Sequence, residues 1–200
     1  MINNLKRTSL FLLLTLVACS EKNSRSETAK TTETIETDVL NFKEYKVSKG
    51  QIGEIKIGKR ISELTTALST FTSKEIDAYD FGFDGGGKAI VYSYKNEAVF
   101  ALVPAYETDY IIALIALHKN LVFKSGIQVG MSVDQVLKHY PNAEFELNLM
   151  SDWEEIADAK NAFILVFKTD EEHRIGTYTK IGEPSKPFNL KPKMAWVTLL

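Results

Sequence analysis

The sequence predicts an α+β fold of two similar halves. Each half is a strand and a helix followed by an antiparallel meander, with the helices on one face of the sheet. Three observations predict it. Stretches of the chain recur in the same order at a spacing near 72 residues, the separation of Gly58 and Gly130. A capped amphipathic helix is legible in the second half. The rest is largely runs of Val, Ile, Phe and Tyr separated by turn residues.

The chain opens with a leader, residues 1–18. Lys6 and Arg7 precede the apolar run Thr8 to Ala18, and no acidic residue occurs before Cys19. A basic segment followed by a short apolar one is the layout of an export signal. The run is about half the roughly 20 residues needed to span a bilayer. It ends in Leu16-Val17-Ala18-Cys19, and Cys19 is the single cysteine of the chain. This ending resembles the lipobox of bacterial lipoproteins. The resemblance implies that the Cys19 sulfur receives a diacylglycerol and that cleavage occurs before it. A thiolate is the side-chain nucleophile suited to that alkylation. Ser20, rather than aspartate, follows the cysteine, which by the same resemblance implies the outer membrane of a Gram-negative bacterium.

Residues 19–38 read as a flexible tether. Serine, threonine, glutamate and lysine dominate, and Ile35 is the one large apolar residue, so the stretch cannot bury enough surface to offset its ordering entropy. About twenty such residues reach on the order of 25 Å.

Residues 39–200 form the folded part, with halves at about 50–120 and 121–200. In the first, Ile55 and Ile57 alternate with Glu54 and Lys56 as a strand does, and Gly58 turns the chain. Ile61, Leu64 and Leu68 give a helix face, but Arg60 stands where a cap belongs. In the second, Ile127 and Val129 precede Gly130. Val133, Val136, Leu137 and Tyr140 then line one helical face, Ser132 with Gln135 fits a capping box, and Pro141 stops the helix. Strands are expected over Ala89–Tyr94, Ala98–Val103, Tyr110–Leu117, Ala143–Leu149, Ala162–Lys168 and Arg174–Lys180. Lys95-Asn96-Glu97 turns a hairpin, and Asp170 to His173 turns its counterpart. KAIVYSYKNE from Lys88 pairs with NAFILVFKTD from Asn161, and YIIALIAL from Tyr110 with MAWVTLL from Met194.

The segment Ser125 to Pro141, SGIQVGMSVDQVLKHYP, resembles a short module of exported bacterial proteins, with Pro141 in place of its closing glycine. The arrangement also resembles the tandem helix-plus-sheet repeats of beta-lactamase inhibitory protein and of BamE. Those families bind partners without catalysis, and the resemblance implies the same here.

Charge excludes one class. The chain has 24 basic and 26 acidic residues, and 22 basic residues remain once Lys6 and Arg7 leave with the leader. That balance gives no footprint for nucleic acid. Asp80, Asp84, Gly85, Gly86 and Gly87 form the most unusual stretch, read as a wide glycine turn with Phe81 and Phe83 packing beneath it, or as a partner-binding loop. Its two aspartates lack the third acidic ligand and closing glutamate of an EF-hand calcium loop, and no Gly-Lys-Ser/Thr of a phosphate loop follows. His118, His139 and His173 are too scattered for a metal site, so neither metal nor cofactor is expected. The run Asp152 to Asp158 reads as a solvated loop or helix face rather than as paired catalytic acids, and Trp153 and Trp196 read as core residues.

The sequence therefore leads us to expect a non-enzymatic binding module. It is held to the membrane by lipid on Cys19, and its partner is another envelope protein. The alternative is a secreted hydrolase with an unrecognised active site.

Overall fold

Among the described residues eleven strands carry the fold, in place of the expected layer of helices on a sheet. The computed structural model describes residues 39–180 and 182–200. The leader, Cys19 and the tether 19–38 lie outside the described residues. Strands β1 (Val47–Ser48), β2 (Gln51–Ile52) and β3 (Ile55–Lys56) make a small antiparallel sheet. The other eight are β4 (Thr72–Asp77), β5 (Lys88–Tyr94), β6 (Glu97–Pro104), β7 (Ile111–Ala116), β8 (Glu146–Asn148), β9 (Trp153–Asp158), β10 (Phe163–Phe167) and β11 (Trp196–Leu199). They form one antiparallel sheet in the order β4-β5-β6-β7-β11-β10-β9-β8.

The α+β expectation fails because the helices are too short to cover a sheet. A 3-10 turn at Ile61–Leu64 runs into α1 (Thr65–Leu68), and α2 is Val133–Leu137. Helices below about 12–15 residues have little stability of their own, and each of these presents barely one turn of apolar face. The cap chemistry follows the residues. Ser132 Oγ accepts from the Gln135 N–H, and the Gln135 side chain accepts from the Ser132 N–H. Arg60 makes no side-chain cap, and that helix starts as 3-10.

Strands β4–β7 and β8–β11 are two four-stranded meanders joined where β11 pairs with β7, Val197 opposite Ala116 and Leu199 opposite Leu114. Each meander is latched the same way to the glycine that precedes its helix. Gly58 N–H donates to the Ile111 carbonyl at 2.8 Å, and Gly130 N–H to the Met194 carbonyl at 2.9 Å. Ile111 N–H returns to Lys59, and Met194 N–H to Met131. Both glycines are left-handed, at φ +82° and +87°, which an L side chain resists. One alignment of the sequence is corrected by this order. KAIVYSYKNE is β5, two strands from the join, whereas NAFILVFKTD is β10, one strand from it. The position equivalent to β10 is that of β6.

Alternation along the central strands builds two cores. Phe100, Leu102, Leu114, Leu165 and Leu199 face the main one, which α1, α2 and β1–β3 cover. Ala101, Val103, Ala113, Ile115, Val166 and Trp196 face the other. The second core is covered by a chain segment rather than by helices. The loop after β4 makes a 3-10 turn, Ala78–Phe81, and lays Phe81 edge-on against Trp196, with ring centres 5.5 Å apart. Alanines at 89, 101 and 113 keep that face of the sheet low enough for the loop to lie on it. Trp153 packs edge-on to Trp196 at 5.0 Å, so both indoles are core, as the sequence suggests.

Candidate functional site

Strands β4 and β8 are the two edges of the sheet, yet the loop after β4 touches the turn between β8 and β9. Tyr79 Oη donates to the Met150 carbonyl at 2.8 Å. Twist accumulating over eight strands brings these two corners together over the second core. Gly82 fixes the contact. It is left-handed at φ +85°, and a Cβ there would lie 2.9 Å from the Trp153 ring.

The meeting corners enclose a cleft of about 390 Å³ lined by Tyr79, Asp80, Asp152, Trp153, Lys168 and Thr169. Lys168 Nζ sits 5.1 Å from the centre of the Trp196 ring and 6.0 Å from that of Trp153, within cation–π range. Asp152 pairs with Arg174. Tyr79, on the cleft, and Leu149 and Met150, in the turn it touches, are 45%, 57% and 61% exposed, large apolar side chains presented to solvent.

Behind the cleft lies Glu154, fully buried, one of two buried polar residues among those described. One of its oxygens, Oε1, accepts from Ile175 N–H (2.9 Å), Gly176 N–H (2.8 Å) and Tyr178 O–H (2.7 Å). The other, Oε2, accepts from Thr169 O–H (2.6 Å) and Ile175 N–H (2.8 Å). Burial, reinforced by the Glu154 carboxylate, holds the Tyr178 phenol well above its ordinary value. With both oxygens occupied, the carboxylate acts as a structural acceptor that clamps the chain from Thr169 to Tyr178 against β9. The clamp also explains why Arg174–Lys180 is not a strand, contrary to the sequence expectation: the N–H groups of Ile175 and Gly176 donate to a side chain instead of a ladder.

A second carboxylate is tied down at the far end of β9. Asp158 accepts from Tyr140 O–H and from the Asn161 side chain, each at 2.7 Å. Burial alone would raise the Asp158 carboxyl, but the hydrogen bonds from Asn161 and Tyr140 outweigh it and hold the group below its usual range. Burial and the Asp158 contact push the Tyr140 phenol up. Thus the run Asp152 to Asp158, expected as a solvated loop or helix face, is an inner strand whose acids point to different places: Glu154 to the clamp and Glu155 to the Trp153 indole N–H at 3.1 Å.

The five loop residues singled out in the sequence are divided by the fold. Asp80 reaches the cleft beside Lys168. Asp84 and Gly85 are exposed, and no atom lies near the Gly85 Cβ direction. Gly86 and Gly87, left-handed at φ +75° and +102°, lie against the Tyr106 ring. Among the described residues no group of three or more His, Cys, Asp or Glu is placed to hold a metal ion. Cys19 lies outside the described residues. Sequence reasoning missed Tyr79, Lys168 and the clamp at Glu154. The alternation of Glu154 with Ile156 was the available signal, since it places the carboxylate on the same face as a core isoleucine.

No family model matches the chain, and no curated protein matches it. Among solved structures, the chain is similar to the crystal structure of the uncharacterized protein yfeY from Escherichia coli, at 11% identity and a TM-score of 0.54, covering 77% of this chain and 98% of that one. At that identity the likeness is one of fold.

Proposed function

We propose that the chain is a lipid-anchored module of the bacterial cell envelope that binds another envelope protein and catalyses no reaction. Its address is the outer membrane of a Gram-negative cell, through lipid on Cys19. The leader ending in Leu16-Val17-Ala18-Cys19 supports the anchor. The observation that carries the binding role is the braced corner. Tyr79, Leu149 and Met150 stand exposed on a framework fixed by the Gly82–Trp153 contact and the Glu154 clamp. Exposed aromatic and methionine side chains on a rigid support are what interface centres are made of. The partner presents an apolar surface to them.

Two measurements test this reading. Cys19→Ser leaves no sulfur to carry lipid and no cleavage before it, so the chain should keep its leader, run more slowly than the parent and incorporate no palmitate; palmitate label or parent mobility in the variant would refute the anchor. Pull-downs from detergent-solubilised envelopes should recover a partner with the parent chain and lose it with Tyr79→Ser/Met150→Asp. Recovery of the same proteins by both chains would refute the corner.

A further inference from the structure

A second groove lies between residues 42–48 and 120–124, beside the start of the described chain. It measures about 630 Å³, and its apolar lining is Phe42, Val47, Val122 and Phe123. Val47 and Phe123 are buried and joined by a parallel bridge, whereas Val122 is 46% exposed. Phe42 is braced by stacking on His118 with ring centres 4.6 Å apart. The rim carries Lys43, Lys46 and Lys124, and no carboxylate lines the groove. Among the described residues, none of these three ammonium groups has an Asp or Glu oxygen within 4.0 Å. The neighbouring Glu44 is held by Asn41 at 2.6 Å.

Three unpaired cations around an apolar trough ask for a ligand with a negative head and a hydrocarbon body. The groove is open along its length, which suits a surface rather than an enclosed guest. We infer that this groove docks onto an anionic phospholipid surface, with Val122 and Phe42 against the acyl region and Lys43, Lys46 and Lys124 on the phosphates. The inference rests on the lipid-anchor reading above. Val39, where the described chain begins, is twenty residues from Cys19, so one wall of the groove, Phe42 to Ser48, belongs to the part of the fold nearest in sequence to the anchor. Lysines near an anionic surface and an apolar side chain at the headgroup boundary reinforce each other. A second contact of this kind would hold the globule down on the leaflet that carries its lipid.

The test uses the full chain as Cys19→Ser, so that no covalent lipid contributes, and compares it with the same chain carrying Lys43→Glu, Lys46→Glu and Lys124→Glu. Both retain the leader, so the difference between them reports the groove. Co-sedimentation is measured with vesicles of phosphatidylcholine alone and with equal parts of phosphatidylcholine and phosphatidylserine. The parent should prefer the anionic vesicles, and the triple variant should bind them roughly a hundredfold more weakly, from about fivefold per lysine. Val122→Asp, which keeps every lysine, should also weaken binding. All four sites are exposed, so folding is retained; a matching urea midpoint confirms it, and a Lys→Gln triple replaces any charge-reversed variant that fails this check. Equal binding by parent and triple variant overturns the proposal, as does equal affinity of the parent for neutral and anionic vesicles. Displacement by inorganic phosphate, but not by chloride at the same ionic strength, would mark a soluble-anion site and also overturn it. Failure of the anchor reading is seen separately, as palmitate label or parent mobility in the otherwise unaltered Cys19→Ser chain.

Discussion

Replacing Glu154 separates its two tasks, accepting hydrogen bonds and filling space. In Glu154→Gln, the amide oxygen can take the place of Oε1 and keep the Ile175, Gly176 and Tyr178 donors. The amide nitrogen then faces Thr169, whose hydroxyl turns to accept. What is lost is the second Ile175 bond, to Oε2, and the charge on the acceptor, and charge-assisted bonds exceed neutral ones by about 1 kcal/mol. The expected cost is about 1–2 kcal/mol. In Glu154→Leu, no acceptor remains. Thr169 borders an open cleft and Tyr178 another, so both hydroxyls can reach water. The Ile175 and Gly176 N–H groups are buried and cannot. Two orphaned buried donors at about 1–3 kcal/mol each give roughly 2–6 kcal/mol. Urea unfolding at neutral pH measures both, with constant m confirming that the same two states are compared. Thermal midpoints should fall by about 2–4 °C per kcal/mol for a chain of this size. A leucine variant within about 0.5 kcal/mol of the parent would show that the clamp contributes nothing, and the account of the 169–178 segment would be wrong.

Three further outcomes follow from the same geometry. Gly82→Ala should destabilise by about 2 kcal/mol, since it combines a left-handed backbone with a Cβ driven into Trp153; Gly85→Ala, in open space, should be neutral within about 0.5 kcal/mol in the same urea titration. Ser132→Ala should cost about 1 kcal/mol by removing one half of the capping box, read by the same method. Asp158, whose folded carboxyl lies below its ordinary value of 3.8, contributes stability that is present above about pH 4 and lost as pH falls through the folded value. Asp158→Asn should therefore lower stability at pH 7 and flatten its decline between pH 5 and 2, and an unchanged acid limb would contradict the assignment.

Where local chemistry decided the outcome, the sequence was informative. Lys95 and Asn96 are both left-handed, at φ +49° and +67°, in the two-residue hairpin between β5 and β6. The capping box at Ser132 is formed. Where tertiary context decided, the sequence was silent or misleading. Strand β4, TSKEID, carries no apolar alternation because it is an edge whose side chains are nearly all exposed. Strand β9 was hidden by its acids, one of which is buried with donors supplied from 15 to 24 residues away. Asp170 to His173 looked like a hairpin turn but is a 3-10 turn with no strand after it, because the clamp takes the N–H groups that follow. Of the site, the glycine loop was legible as unusual. That its partner was the β8–β9 turn was not, since nothing local encodes how far a sheet will coil.

The sheet order has a bearing on how such a chain survives synthesis. The hydrogen-bonded link between the meanders is β11, the last in chain order of the described strands, which is inserted between β7 and β10. Until it arrives, two strands as apolar as IIALIA and FILVF face outward with unpaired backbone, the condition that invites association with other chains. Removing β11 would therefore yield a sticky product rather than a slightly smaller one.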